Sequence, residues 1–343
     1  MATILDVAKM AGVSISTVSY ALSGARPISA KKKVLIFQSM EKLGYQPNAI
    51  AKSLASRKTN NIALLYPPVG ERHLGLIDTQ FISSCAQYSL KYGYNMVLWV
   101  LSADNLDELR KLARQNMVDG IILMEVRQMD TFVTVLHEEG IPFFMIGHDR
   151  SFKGQNYVDI DYHSSMNSLI RWLVDLGHKN ICFFNHPQKT FDVGYTSTVL
   201  CHDFFYEICG EFRVQGTEVF CEADPEHGYR ETEKILKLQK NTSVIISSNE
   251  SCFVGIVKAV EDSGRKIPDH VSLVAFTTAE LASERLLPPI TSYEIDVDSM
   301  IQQAIDELIL LIEKRTEIKK KPLIPCKFVR RHSTGPAVNP EAR

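Results

Sequence analysis

Cys201, His202, Cys209 and Cys221 are, by type, the residues of this 343-residue chain best suited to hold a soft metal ion. Their spacing fits no common zinc-ligand pattern, and small thiols within apolar segments ordinarily belong to cores. No metal and no cofactor is expected. The seven cysteines (85, 182, 201, 209, 221, 252 and 326) never form a Cys-x-x-Cys pair, and such scattered thiols point to a reduced, cytoplasmic protein. The sequence has no Walker loop, no Gly-x-Ser-x-Gly elbow and no His-Glu-x-x-His. No activated nucleophile or paired acid and base stands out, so the chain is not expected to be an enzyme.

The chemistry that remains is noncovalent, and it is unevenly placed. Residues 1–60 hold nine Lys and Arg (Lys9, Arg26, Lys31, Lys32, Lys33, Lys42, Lys52, Arg57, Lys58) against Asp6 and Glu41, a net of +7. The remainder carries −9, which leaves −2 overall. A basic module on an acidic body fits a protein of which only one end meets a polyanion.

Three short helices must position the side chains of that module. Thr3 is placed to cap the first, with Asp6 in the reciprocal capping-box position and Ile4, Val7, Ala8 and Ala11 on the apolar face. Gly12 ends it. Ser14 is placed to cap a second helix over about Ile15–Leu22, with Val18, Ala21 and Leu22 inward. A third starts after Ser29, with Val34, Phe37, Met40 and Leu43 expected as its buried stripe, and stops at Gly44. Helix, tight turn and helix within about twenty residues is the spacing of a helix-turn-helix, whose second helix projects its first side chains into a major groove.

The run Ile4-Leu5-Asp6-Val7-Ala8-Lys9-Met10-Ala11-Gly12-Val13-Ser14-Ile15-Ser16-Thr17-Val18-Ser19-Tyr20-Ala21-Leu22-Ser23-Gly24 closely resembles the headpiece of the LacI/GalR family of bacterial transcription regulators. The resemblance continues through Leu43-Gly44-Tyr45-Gln46-Pro47-Asn48-Ala49-Ile50-Ala51-Lys52-Ser53-Leu54. It implies that Ile15, Ser16 and Tyr20 face base edges: the hydroxyls donate or accept, and Ile15 can pack on a thymine methyl. Arg or His often stands where Tyr20 does, and Tyr cannot make a bidentate contact to guanine. Thr17, Ser19, Asn48 and Lys52 are the expected backbone contacts, which set register and affinity. A segment as short as 48–56 is marginal as a lone helix in water. The resemblance makes it a hinge helix that orders on DNA, with Leu54 as a minor-groove wedge that kinks the duplex.

The chain as a whole is 45% apolar and 23% charged, with no apolar run near ~18 residues and no basic-then-apolar leader. Apolar strand-like runs (61–66, 95–101, 120–124, 142–146, 181–184, 244–247, 271–276) alternate with amphipathic helical stretches. Such alternation makes parallel sheets covered on both faces, with ligands at the carboxyl ends of the strands. Asp119-Gly120, Gly140-Ile141-Pro142, Leu176-Gly177-His178, Gly228-Tyr229 and Pro288-Pro289-Ile290 fall at landmarks of the same family, whose body resembles periplasmic sugar-binding proteins. The expected fold class is α plus α/β: a helix-turn-helix headpiece (1–46), a hinge helix and linker (47–59), and a two-lobed body (60–343). Its first lobe is expected over about 60–160 and 289–318, its second over about 161–288 and 319–334. No heptad tail follows, which favours a homodimer over a coiled-coil tetramer.

Candidate effector residues lie at strand ends: Phe81, Asp149, Asp161, Tyr195, His202, Asn249, Glu250 and Thr277, with Leu76 and Phe191 nearby. Here the sequence departs from the family pattern. Residues 195–204 hold no Arg where an Arg-x-x-Gly-Phe stretch is usual. Ala275-Phe276-Thr277-Thr278 replaces Gly-Phe-Asp-Asp, and Asn249-Glu250 replaces Asn-Asp. A buried Arg or Asp would give directional bonds to vicinal hydroxyls, whereas Thr277 and Thr278 offer neutral hydroxyls; Arg127 or Arg150 could supply a cation. An atypical effector or weak effector control is expected. The function so implied is a repressor of carbohydrate uptake or catabolism genes, bound as a homodimer to a palindromic operator and modulated by a sugar or sugar derivative. The alternative is a cytoplasmic sugar receptor with no transcriptional role.

Overall fold

The computed structural model describes residues 2–23, 26–46, 58–67, 74–102, 104–151, 156–315 and 322–338. Three helices form the amino-terminal unit: α1 (Ile4–Ala11), α2 (Ile15–Ser23) and α3 (Ala30–Leu43). The Thr3 side chain accepts from the Asp6 N–H while the Asp6 carboxylate accepts from the Thr3 N–H at 2.9 Å, a complete capping box. Gly12 (φ 63°) and Gly44 (φ 60°) end α1 and α3 in the left-handed conformation that glycine adopts without strain. Val7, Ala8, Ala11, Val18, Ala21, Ile36 and Met40 pack as a small core of their own.

The expected stripe of α3 is corrected here. Val34 and Phe37 are exposed, and Ile36 and Met40 face the core with Leu43 packed against it. A helix advances about 100° per residue, so every three-residue step falls about 60° short of a full turn. Val34 and Leu43, three such steps apart, therefore stand on opposite faces. Ile36, Met40 and Leu43, at steps of four and three, stay together.

The body has two six-stranded sheets. The first contains β1 (Asn61–Tyr66), β2 (Asn95–Val100), β3 (Gly120–Leu123), β4 (Phe143–Ile146), β5 (Tyr157–Ile160) and β11 (Leu323–Ile324), in the order β11-β5-β4-β3-β1-β2. The second contains β6 (Asn180–Asn185), β7 (Gln215–Phe220), β8 (Val244–Ser247), β9 (Ser272–Thr278), β10 (Thr291–Glu294) and β12 (Lys327–Val329), in the order β12-β10-β9-β8-β6-β7. All pairings are parallel except β10 with β12. The central strands β1, β3, β8 and β9 are almost wholly buried, as sheets covered on both faces require.

The lobe boundaries differ from the expected ones. β10, expected in the first lobe, pairs with β9 in the second sheet, and β11, expected in the second, pairs with β5 in the first. The chain thus crosses between lobes around Asp161, Asp296 and Pro325. At the first two crossings an Asp caps the helix that follows. Asp161 accepts from the Ser164 N–H at 2.9 Å, and Asp296 from the Ser299 N–H at 3.1 Å. A capped helix end satisfies backbone donors where the ladder stops, so each crossing is a fixed corner. Helix Val297–Ile312 then packs on the first sheet, burying Met300, Ile301, Ala304, Ile305 and Leu308. Among the described residues no helix is long and apolar enough to cross a membrane.

Candidate functional site

The expected recognition residues fall on two surfaces. On the headpiece, the Ser14 hydroxyl accepts from the Thr17 N–H at 3.2 Å and lies 2.8 Å from the Thr17 hydroxyl, which fixes the start of α2. Ile15 and Ser16, the first residues beyond that cap, are exposed, while Val18 beneath them is fully buried. Tyr20, one turn on, is half-buried, with the Arg26 guanidinium 5.2 Å from its ring centre. The expected base-reading trio Ile15, Ser16 and Tyr20 therefore stands at the front of a braced helix, with the half-buried Thr17 and Ser19 beside it. Asn48, Lys52 and Leu54 lie outside the described residues, as does the rest of 47–57.

Past that segment the chain is tied to the first lobe. One carboxylate oxygen of Asp119 accepts from the Thr59 N–H at 2.7 Å and the Thr59 hydroxyl at 2.9 Å, and the other from the Asn60 N–H at 2.9 Å. The Asp119-Gly120 landmark thus anchors the incoming chain at the foot of β1 and β3.

The second surface is a cavity of about 120 Å³ between the lobes, reached from the carboxyl ends of the strands. A water needs only about 10–15 Å³ on this measure, so the cavity has room for a small organic molecule. Of the expected effector residues, Phe81, Tyr195, Asn249, Glu250 and Thr277 line it. Glu125, in the loop after β3, and Thr277, next to last in β9, face it, both at φ 52°, and non-glycine residues held in that region cluster at functional sites. The Thr277 hydroxyl donates to its neighbour Phe276 at 2.7 Å. The Asn249 amide is spent on the Cys221 carbonyl at 3.0 Å. Burial pushes the Tyr195 hydroxyl up to about 12, so it meets a ligand as a neutral donor.

Three expected residues lie outside the cavity lining. Asp161 does not line the cavity and serves as the helix cap described above; Asp159, two residues earlier, lines it instead. Asp149 is buried and does not line the cavity, accepting from the N–H groups of Met129, Asp130 and Ser151 at 3.1, 2.9 and 2.9 Å. Burial works to raise its pKa, but the Ser151 hydroxyl and these N–H groups hold it below the ordinary carboxylate value. His202 does not line the cavity: it pairs with buried Glu218 at 2.5 Å and packs on Phe191 and Phe220. Leu76 and Phe191 likewise do not line the cavity.

Sequence reasoning missed several lining groups, chiefly Asp78, Glu125, Asp159, His186 and the hydroxyl run Thr196-Ser197-Thr198. Asp159 is fully buried, and burial raises its carboxyl above the ordinary value against the pull of His148 Nδ1 at 2.6 Å. Strand alternation could have found it, since β5 is a short run whose acid points inward. Arg127 and Arg150 do not line the cavity and instead lie at contacts between the lobes. Arg127 faces Tyr195 in a two-residue antiparallel bridge, with Gln128 N–H donating to Gly194 at 2.8 Å and Thr196 N–H to Val126 at 3.0 Å. Arg150 reaches Asp203 of the other lobe at 3.2 Å. Both partners there are about half exposed, so that pair contributes at most ~1 kcal/mol.

Residues 3–48 match the sequence profile of the bacterial regulatory proteins of the lacI family, and residues 170–334 that of the periplasmic binding protein-like domain. Over 340 residues the chain is 25% identical to catabolite control protein A of Priestia megaterium, spanning 93% of this chain and 98% of that protein. It is 28% identical over 343 residues to the probable HTH-type transcriptional repressor ExuR of Bacillus subtilis, spanning 97% and 98%. The lac repressor dimer bound to operator and the anti-inducer ONPF has the same fold, with a TM-score of 0.82 at 21% identity over 97% of this chain and 99% of that one. The complex of the transcriptional regulator CelR with cellobiose gives a TM-score of 0.70 at 20% identity, over 97% and 100%.

Proposed function

The chain belongs to the lacI family of bacterial regulatory proteins, and from that premise we propose that it is a cytoplasmic, sequence-specific repressor of carbohydrate uptake or catabolism genes. It acts as a homodimer on a palindromic operator, and a sugar or sugar derivative in the interlobe cavity modulates it. The observation that carries this reading is the pairing of a braced reading helix with a chain anchor on a hinged body: exposed Ile15 and Ser16 at one end, Asp119 on Thr59 and Asn60 at the other.

In this reading Ile15, Ser16 and Tyr20 touch base edges, and Thr17, Ser19, Asn48 and Lys52 touch the phosphate backbone. Leu54 opens a minor-groove step at the dimer axis. Two headpieces related by the twofold read two half-sites about one helical turn apart. A ligand that binds one relative setting of the lobes better than the other shifts the position of Asp119, and with it the spacing of the two linkers. Only such differential affinity couples cavity to operator. The cavity performs no reaction in this account; the protein is a regulator rather than an enzyme.

The test is selection of duplexes from a random pool by the full-length protein, followed by fluorescence anisotropy at about 0.15 M salt. Recovery of an inverted repeat bound at least ~10³-fold more tightly than its scrambled form is expected. Equal affinity for the two, or a protein that stays monomeric at micromolar concentration, defeats the reading.

A further inference from the structure

Glu250 belongs to the second lobe, in the turn Glu250–Cys252 that follows β8, yet its carboxylate lies against the first lobe. Its Oε1 accepts from the N–H of Leu76 at 2.7 Å and of Ile77 at 3.4 Å, the first two residues of the sixteen-residue helix α4 (Leu76–Lys91). These are donors that a helix leaves unsatisfied at its amino end, where the macrodipole also favours negative charge. The next donor back, the Gly75 N–H, goes to Asp78 at 2.7 Å. The helix end that opens on the cavity is therefore capped by two carboxylates, one its own and one from the opposite lobe.

Gly75 shows how closely the Glu250 carboxylate sits on that helix end. Its backbone (φ −80°, ψ −178°) is extended and open to any residue, so conformation does not call for glycine. Space does. A Cβ at Gly75 would lie 2.5 Å from Glu250 Oε1, with the Asp78 carboxylate at 3.4 Å.

We propose that Glu250 is a specificity-determining residue of the cavity: by seating its own carboxylate on the amino end of α4 it excludes effectors that bring a phosphate or carboxylate there. The site then takes uncharged polyhydroxyl compounds. This inference rests on the reading of the cavity as an effector site. An anionic group entering it must displace Glu250 from charge-assisted bonds and then sit beside Asp78. An uncharged hydroxyl can share the seat, donating to Glu250 while the latch stays closed.

The experiment uses the full-length protein, Glu250→Ala and Gly75→Ala, each titrated by calorimetry with inorganic phosphate and with D-glucose 6-phosphate at constant ionic strength. Small-angle scattering of each unliganded protein reads lobe opening. Gly75→Ala keeps every charge and displaces only the carboxylate. Both variants are expected to bind the anions at least ~10-fold more tightly than wild type and to show a larger radius of gyration. A gain in Glu250→Ala with none in Gly75→Ala reflects net charge rather than the seat on α4, and overturns the proposal. No gain in either variant overturns it as well. In that case scattering tells which premise failed: opened lobes without anion binding sink the effector-site reading, and unchanged lobes sink the latch.

Discussion

Asp119 holds Thr59 by both its N–H and its hydroxyl, at 2.7 and 2.9 Å, and takes the Asn60 N–H on its other oxygen. Three donors on one carboxylate fix the direction in which the chain leaves the first lobe toward the headpiece. They form at a loop beside β3, whose far end opens on the cavity, so the rigid sheet joins the two ends. Asp119→Ala removes three bonds to a charged acceptor, each ordinarily contributing about 1.5–3 kcal/mol, though part exposure and replacement by water bring the net cost to about 2 kcal/mol. The expected result is a folded protein with reduced operator affinity and a blunted response of that affinity to effector. Anisotropy titrations with and without effector measure both, and an unchanged response rules out Asp119 as the coupling point.

Tyr20 presents its hydroxyl beyond a ring stacked near Arg26. Tyr20→Phe keeps the ring and that contact and deletes one hydrogen-bonding group. Discrimination at one base pair of each half-site is expected to fall by about 1–2 kcal/mol, with affinity for scrambled DNA unchanged. Binding to the set of single-base operator variants shows whether the loss is confined to one position. A uniform loss across the set makes Tyr20 a backbone contact instead.

His178 joins distant parts of the second lobe, its Nδ1 2.8 Å from the Ser243 hydroxyl and its Nε2 3.1 Å from the Gly335 carbonyl. Burial depresses its pKa below 6.5, since the cation would be poorly solvated there. A proton taken up by the unfolded chain below pH 6.5 is thus refused by the folded one. His178 leaves stability untouched above about pH 6.5 and lowers it progressively as pH falls from there toward its folded value. Urea midpoints at pH 7.5 and 5.5 should fall on acidification for wild type, and fall less for His178→Gln. Equal slopes in the two proteins would mean that other groups govern the acid limb.

Local chemistry was readable from the sequence; register and rotation were not. Thr3, Asp6, Gly12 and Gly44 act within a few residues of themselves, and each does what its type and spacing required. Val34 and Phe37 misled because a three-residue period matches a helix only briefly. Asp161 misled for a related reason. In a strand it would share a face with Asp159, but β5 ends at Ile160, and the next residue starts a helix. Strands β5, β7, β11 and β12, at or next to the sheet edges, lack the apolar runs that marked the central ones, and β10 lies hidden in the polar run Thr291-Ser292-Tyr293-Glu294. Their places depend on partners far away in the chain, as Glu294 with Arg331 at 2.7 Å illustrates.

The landmark Gly228, together with Gly255, shows how a sequence landmark can be packing rather than recognition. They sit on helices Pro225–Leu238 and Phe253–Asp262, which flank the turn bearing Glu250. A Cβ at Gly255 would lie 1.8 Å from the Pro225 carbonyl oxygen and 2.6 Å from the Tyr229 nitrogen, and one at Gly228 would lie 2.6 Å from the Cys252 carbonyl oxygen. These neighbours are backbone, which cannot swing aside, so Gly255→Ala must part the helices. The cost is expected to reach about 3 kcal/mol or more. Gly12→Ala is the contrast. Its Cβ meets nothing within 4 Å, so only the left-handed backbone (φ 63°) resists it, for about 1 kcal/mol. Urea unfolding of the two variants separates steric from conformational demand. Similar losses in both would show that the two helices yield more easily than their contact distances imply, and would leave Glu250 on a softer platform than its reach across the cleft requires.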